Sequence, residues 1–353
     1  MVPAGMIQFG DGRVPDLSSG TCLDDNARVW LVTMFALSAD AAFPYAREAG
    51  DAAVGFVADA HRPDGLFHNF ADASGRFVDQ IGSEDSFGRA IWACGVAAGS
   101  AVVPQWRDAA IKALVTAQPA IGKLTARHAL AYAILGLSAA IAPDAASPIE
   151  PGDDGLPGPL RDRLTRLLTG LADGLDDLFR SRATGEWPWW SDELTWGNAR
   201  LPEAMLRASA ATGDRRYLET GKRAFEFLAG ITQPGDMFVP IGNDGWYARG
   251  GKRARYDQQP IEACAMADAW LAMYRLTHDS SDLRRAQTAF EWFNGRNSER
   301  IALGDPQTGG CYDGLLHGGV NPNQGAESTL SYLHADFAVN VLPALRPRIA
   351  PAT

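Results

Sequence analysis

Apolar residues in this chain fall into long helical runs, and each run is opened by a short polar cluster. Six clusters recur: Asp24-Asp25-Asn26-Ala27-Arg28, Glu84-Asp85-Ser86-Phe87-Gly88-Arg89, Thr125-Ala126-Arg127-His128, Gly197-Asn198-Ala199-Arg200, Asp257-Gln258-Gln259-Pro260 and Asn323-Gln324-Gly325-Ala326-Glu327. Their spacing, roughly 40 to 70 residues, is that of a helical hairpin plus a variable loop. The runs that follow, such as VWLVTMFALSA, AIWACGVAAG and ALAYAILGLSAA, are apolar nearly all round. That pattern predicts helices buried on every side. Between them, the stretches near 43–60, 104–119, 158–180, 214–230 and 281–296 alternate charged and apolar faces at helical spacing, as half-wet helices do.

Buried and half-wet helices in alternation predict two concentric rings: an all-α, (α/α)6 toroid of helical hairpins. The toroid forms one domain over residues 1–353, with 1–20 as an N-terminal extension. Six inner helices are read but only five outer ones. The twelfth place is either open, covered by the extension, or covered by a partner chain. Loops 61–83, 231–256 and 297–322 are long and rich in Gly and Pro. They are expected to hold short β-hairpins and to rim a binding site. The stretch 143–157 has no aromatics and reads as a plain connection.

Composition narrows the partners. The net charge of −10 disfavours nucleic acid, which needs a basic face, and argues against an anionic membrane surface. No apolar run reaches the roughly 18 residues of a membrane span. The first residues show neither the basic nor the apolar part of a signal peptide. The four cysteines form no CxxC pair, so no zinc site, other metal or cofactor is expected, and a cytoplasmic location fits. GxSxG and HExxH are absent, which removes support for a serine hydrolase or a zinc protease.

All six polar clusters sit where helices begin, and in a toroid those ends meet at one mouth. Helix N-termini offer free N–H groups and a positive dipole end. Simple capping accounts for some of the Asp, Asn and Ser there, but not for the recurrence of Arg and Gln beside them. Arg200-x-x-Glu203, Gln259-x-x-Glu262 and Gln324-x-x-Glu327 place a Glu and a guanidinium or amide on one helical face. Such carboxylates either pair structurally with Arg28, Arg89, Arg127 or Arg200, or line the cleft. Glycoside hydrolysis needs two carboxyl groups across the scissile bond. The candidates are Asp85 and Glu262 first, then Asp25 and Glu327, with Asp192, Glu193 and Asp257 behind them. Tryptophans and tyrosines in polar loops, as in WPWWSDELTW and NDGWYARGG, suit the apolar faces of sugars. Trp190, Trp196, Trp246 and Tyr247 are therefore sugar-positioning candidates, with Asn198, Arg200, Asn243 and Asp257. Gln259, His317, Asn321 and Gln324 complete that set. Arg249, Lys252, Arg253 and Arg255 form a basic loop that either holds a phosphate or uronate or is simply solvated.

The openings at Asp24–Arg28, Glu84–Arg89 and Asp257–Glu262 resemble those of the six-hairpin glycosidase superfamily, in motif style and architecture, over residues 20 to 343. The resemblance implies inverting hydrolases, phosphorylases, polysaccharide lyases and sugar epimerases as the possible chemistries. The 2-epimerases of this architecture use a histidine pair in the cleft. Here only His128 opens an inner helix, with His317 on a late loop, so an epimerase is disfavoured; carboxylates are the most numerous polar type at the mouth, so a hydrolase leads. The chain also resembles bacterial proteins found alongside glycosyltransferases. That implies polysaccharide metabolism, an oligo- or polysaccharide as ligand, and a glycosyltransferase or a second copy as partner. The alternatives are a phosphorylase or lyase, and a silent sugar-binding partner of a glycosyltransferase.

Overall fold

A computed structural model describes residues 5–39, 45–100, 102–143, 149, 151–152 and 155–341. Among them are eleven α-helices: α1 Leu23–Ser38, α2 Ala46–Ala60, α3 Glu84–Gly99, α4 Pro104–Ile121, α5 Arg127–Ile141, α6 Gly158–Arg182, α7 Arg200–Thr212, α8 Arg215–Thr232, α9 Pro260–Thr277, α10 Ser280–Phe290 and α11 Ala326–Asp336. One π-helical turn, Phe337–Val341, follows.

The odd-numbered helices form the inner ring. Each packs on the next, and α11 returns to pack on α1, so the ring is closed. Each even-numbered helix packs outside the inner helix that precedes it. Burial follows the sequence pattern. In α5 every residue from His128 to Ile141 is buried, whereas α6 buries a single stripe that includes Leu160, Leu164, Leu168, Leu171 and Leu175. Short turns reverse the chain between rings. Gly213, with φ of 76°, ends α7, and Asp214 caps α8 through the N–H of Arg216.

Closure depends on small residues. A Cβ on Gly95 of α3 would lie 2.0 Å from the Gly136 carbonyl oxygen of α5, and one on Gly136 would lie 2.3 Å from that of Ile91. Helices α3 and α5 therefore meet backbone to backbone.

Five outer helices are present among the described residues, as the sequence predicts. The last ends at Phe290 rather than near residue 296, because Trp292 and Phe293 turn into the core. The described part of the N-terminal extension, residues 5–20, does not take the twelfth place. Its strands β1 (Gly10–Asp11) and β2 (Val14–Pro15) pair with each other, and Gln8 and Gly12 accept hydrogen bonds from Ala326 and Gln324. It therefore lies at the mouth, beside the start of α11. The long loops hold strand pairs, but two of the three pair across loops. Strand β3 (Thr21–Cys22) joins β4 (Phe70–Ala71), and β5 (Glu193–Leu194) joins β6 (Tyr247–Ala248). Only β7 (Gly314–Leu316) and β8 (Gly319–Asn321) form a local hairpin. No helix is long and apolar enough to cross a membrane among the described residues.

Gly95→Ala or Gly136→Ala should lower unfolding stability by about 1–3 kcal/mol through overpacking. Gly170→Ala on α6, where an added Cβ meets nothing within 4 Å, should be neutral or stabilising by up to about 1 kcal/mol. Urea denaturation of the three variants checks this, and equal midpoints would show that α3 and α5 can separate without cost.

Candidate functional site

Five of the six inner helices present their N-terminal ends to one cleft of about 360 Å³. Asp24 comes from α1, Asp85 and Arg89 from α3, Trp196 from the loop into α7, Gln259 and Ile261 from the start of α9, and Glu327 from α11. Loop 61–83 adds Asn69 and Ser83, and loop 231–256 adds Asn243 and Trp246. Trp246 takes a left-handed φ of 51°, uncommon for so bulky a residue and a mark of local constraint. The sixth helix, α5, contributes from beneath. His128 in its first turn stacks on Trp196 at 3.9 Å between ring centres.

The carboxylates differ in how far they are committed. Asp24 is bound on both sides, by Arg28 at 2.9 Å and Arg89 at 2.5 Å. Asp25 is buried, pairs with Arg28 at 3.0 Å and accepts from the Cys22 thiol. Burial, opposed by Arg28 and reinforced by Asp24, raises Asp25 to about 6. Glu327 pairs with Arg28 through the other guanidinium nitrogen. Asp85 forms no ion pair, and its buried Oδ1 has no hydrogen-bond partner among the described residues. Burial raises its pKa against the pull of Arg89, aided by Asp24 and Glu84.

Glu262 is 6% exposed and does not line the cleft. One of its oxygens accepts from the Gly197 N–H and the other from the Asn198 amide at 3.2 Å. Burial outweighs these bonds and pushes its pKa up to about 7. Asn198 also bonds Thr195 through both its side-chain oxygen and nitrogen. Glu262 and Asn198 together pin the Thr195–Asn198 loop that carries Trp196.

Arg200 lies inside the ring. It pairs with Glu203 and Asp268, both at 2.7 Å, and Glu203 also holds Arg207. His334 completes the cluster at 2.8 Å from Asp268. Against the cost of burial, His334 and Arg200 hold the Asp268 carboxyl below its usual range. Cys264, Asp268 and His334 bring three possible metal-ligand atoms within 4.8 Å of one another. The Arg200 guanidinium already sits there, bonded to Asp268 and to the Cys264 sulfur, so the position of a cation is taken by a side chain.

Other sequence candidates separate by position. Asn243, Trp246, Trp196 and Gln259 line the cleft, and Asp25, Asp257 and Asn321 line a groove beside it. Trp190 does not reach the mouth: it is 1% exposed, packs on Phe179 and donates to the Leu175 carbonyl. Tyr247 packs edge-on against Trp187. Arg249 pairs with exposed Asp192, and Arg253 donates to the Ile231 and Val239 carbonyls, so half of the basic loop is already engaged. His317 rests against Tyr256, and Gln324 lies in the N-terminal contact with Gly310 rather than in the cleft. Sequence reasoning passed over Asp24 and Arg89 as candidates, although both stand in the quoted clusters. Phe9, Asn69, Ser83 and Asp313 gave no signal, because folding alone brings their loops to the mouth.

No family model matches the chain, and no curated protein matches it. Solved structures do. A D-mannose isomerase aligns with a TM-score of 0.63 at 16% identity, over 97% of this chain and 92% of its own. A sugar epimerase from a ruminal bacterium aligns at 0.68 and 13% identity, with the same coverage of 97% and 92%. A GH76 α-mannanase from Bacteroides thetaiotaomicron aligns at 0.59 and 11% identity, over 92% of this chain and 87% of its own. Likeness at such identity establishes architecture alone. The chain has an (α/α)6 toroid fold.

Proposed function

We propose that the protein is a carbohydrate-active enzyme, and that it hydrolyses glycosidic bonds with Asp85 as general acid and Glu327 as the base that activates water. The observation that carries this reading is the state of Asp85. It is the cleft carboxylate with no ion pair and a free buried oxygen among the described residues, and burial raises its pKa, the direction a proton donor needs. Helices α3 and α11 flank α1, so Asp85 and Glu327 stand on either side of Asp24. A sugar laid between Trp196 and Trp246 would find apolar faces there, with amide and carboxylate acceptors around them. A general acid on one side and a water-activating base on the other are the roles of an inverting glycosidase. A phosphorylase gains little from this cleft, whose one lining cation, Arg89, is paired with Asp24.

One observation favours a second reading, epimerisation or isomerisation of a sugar. His128 is buried, its Nε2 has no partner among the described residues, and burial lowers its pKa to about 3. It is a neutral base beneath the cleft. A two-histidine mechanism lacks its other member, because His334 is spent on Asp268 and His317 packs on Tyr256.

Asp85→Asn should cut kcat about 10²- to 10⁴-fold with an unchanged melting temperature. Reducing-end assays on a panel of oligosaccharides measure it. Deuterium entering the sugar carbon skeleton in D₂O, without bond cleavage, would overturn the hydrolase in favour of the second reading. Glu262 supplies a stability test. With its pKa raised to about 7, its contribution is fully present below the unfolded value near 4.5 and is lost as pH rises through 7. The melting temperature of the wild type should therefore fall more steeply between pH 5 and 8 than that of Glu262→Gln, by roughly 1–3 kcal/mol in unfolding free energy. Parallel melting curves would show that Glu262 does not titrate in this range.

A further inference from the structure

A groove of about 350 Å³ adjoins the cleft and shares Asp24, Gln259 and Glu327 with it. We infer that this groove is a second sugar subsite, continuous with the cleft, and that it takes a hexosamine unit carrying a free ammonium group. The inference extends the carbohydrate reading above and rests on it.

Its lining is one-sided in charge. Asp24, Asp25, Asp257, Asp313 and Glu327 face the groove, and among the described residues no Lys, Arg or His does. Arg28, behind the wall, serves Asp24, Asp25 and Glu327. Asp257 and Asp313 have no cation of their own. Asp313 accepts only from the Asn323 amide at 2.5 Å and the Gly325 N–H at 2.8 Å. The Asp257 Oδ1 is buried without a partner among the described residues, and burial, opposed by a hydrogen bond from Gln259 and aided by Asp313 and Asp244, raises its pKa. Carboxylates gathered this way repel phosphate and uronate and favour a cation.

Two features point to an organic ligand rather than a metal ion. Phe9, on the N-terminal segment, lines the groove and is 54% exposed; it offers an apolar platform that a metal has no use for. The carboxylate oxygens are also spread out. Among the described residues, ligand atoms of three or more His, Cys, Asp or Glu side chains converge only at Cys264, Asp268 and His334, in the core. A further built element is Ser328. It lines the groove, is 6% exposed, and its hydroxyl has no hydrogen-bond partner among the described residues. A ligand hydroxyl or amine in the groove would pair it. The volume is at the lower end of ligand sites, enough for one saccharide unit beyond those in the cleft. Because the two spaces meet at Glu327, a chain lying in both would cross the proposed catalytic carboxylates at the junction.

The test is direct binding, separate from turnover. Calorimetry of the full chain would compare a glucosamine tetrasaccharide, its fully N-acetylated form and a uronate tetrasaccharide, at low and high salt. The amine form should bind at least about tenfold more tightly than the N-acetylated form, and high salt should erase much of the difference. Phe9→Ala should weaken both forms roughly 3- to 10-fold. Asp257→Asn should weaken the amine form selectively, with the melting temperature confirming that the fold survives. Equal affinity for the amine and acetylated forms, or preference for the uronate, overturns the inference. So does a calcium titration that binds on its own and displaces the amine. Loss of hydrolysis with amine-selective binding intact would count against the Asp85–Glu327 chemistry and leave the groove standing.

Discussion

Water is excluded from the space between the six inner helices, and the rest of this protein follows from that exclusion. The inner helices touch closely enough that Gly95 and Gly136 bring backbone against backbone. A charge in such an interior must be paired or moved to an end. Both solutions occur. Arg200, Glu203, Arg207, Asp268 and His334 form a closed buried cluster, and the other polar groups collect at the helix N-termini. The mouth is polar because the barrel of helices beneath it cannot be.

That arrangement sets the chemistry on offer. Helix N-termini favour negative charge, and carboxylates crowd there until only two arginines, Arg28 and Arg89, stand between them. Crowding leaves some acids neutralised and others not. Asp24 is paired and Asp85, one ring position apart, has no ion pair among the described residues. The loop bearing Trp196 depends on the same economy of partners: Glu262 and Asn198 hold it from below, and His128 stacks against it.

Much of the fold was legible in the sequence. An apolar run opened by a polar cluster has one stable place in a globular chain, a buried helix with its start at a surface, and six repeats of it specify a ring. Outer helices were equally plain from their charged faces. The site was legible only in part. Asp85, Glu327, Gln259, Trp196 and Trp246 belong to helix starts or to the loops that feed them, and they do converge. Trp190 misled, because its polar neighbours suggest an exposed loop while its N–H is satisfied by a backbone carbonyl in the core. Phe9 and Asp313 could not be found by periodicity, since their meeting at the groove depends on strand pairs and loop contacts between distant segments. Strand β6 finding β5 rather than a local partner is the same limit seen in the loops.

Closure of the ring through α1 and α11 also bears on biosynthesis. The acidic mouth is stitched together from opposite ends of the chain: Arg28, near the start, grips Glu327, some 299 positions later. A nascent chain emerging N-terminus first therefore carries Asp24, Asp25 and Arg28 long before their counterpart exists. Joining such distant ends adds little entropy cost per extra residue, so the delay is one of synthesis rather than of search. The acidic mouth is thus absent from every partly made chain and comes into being only when the last inner helix seats.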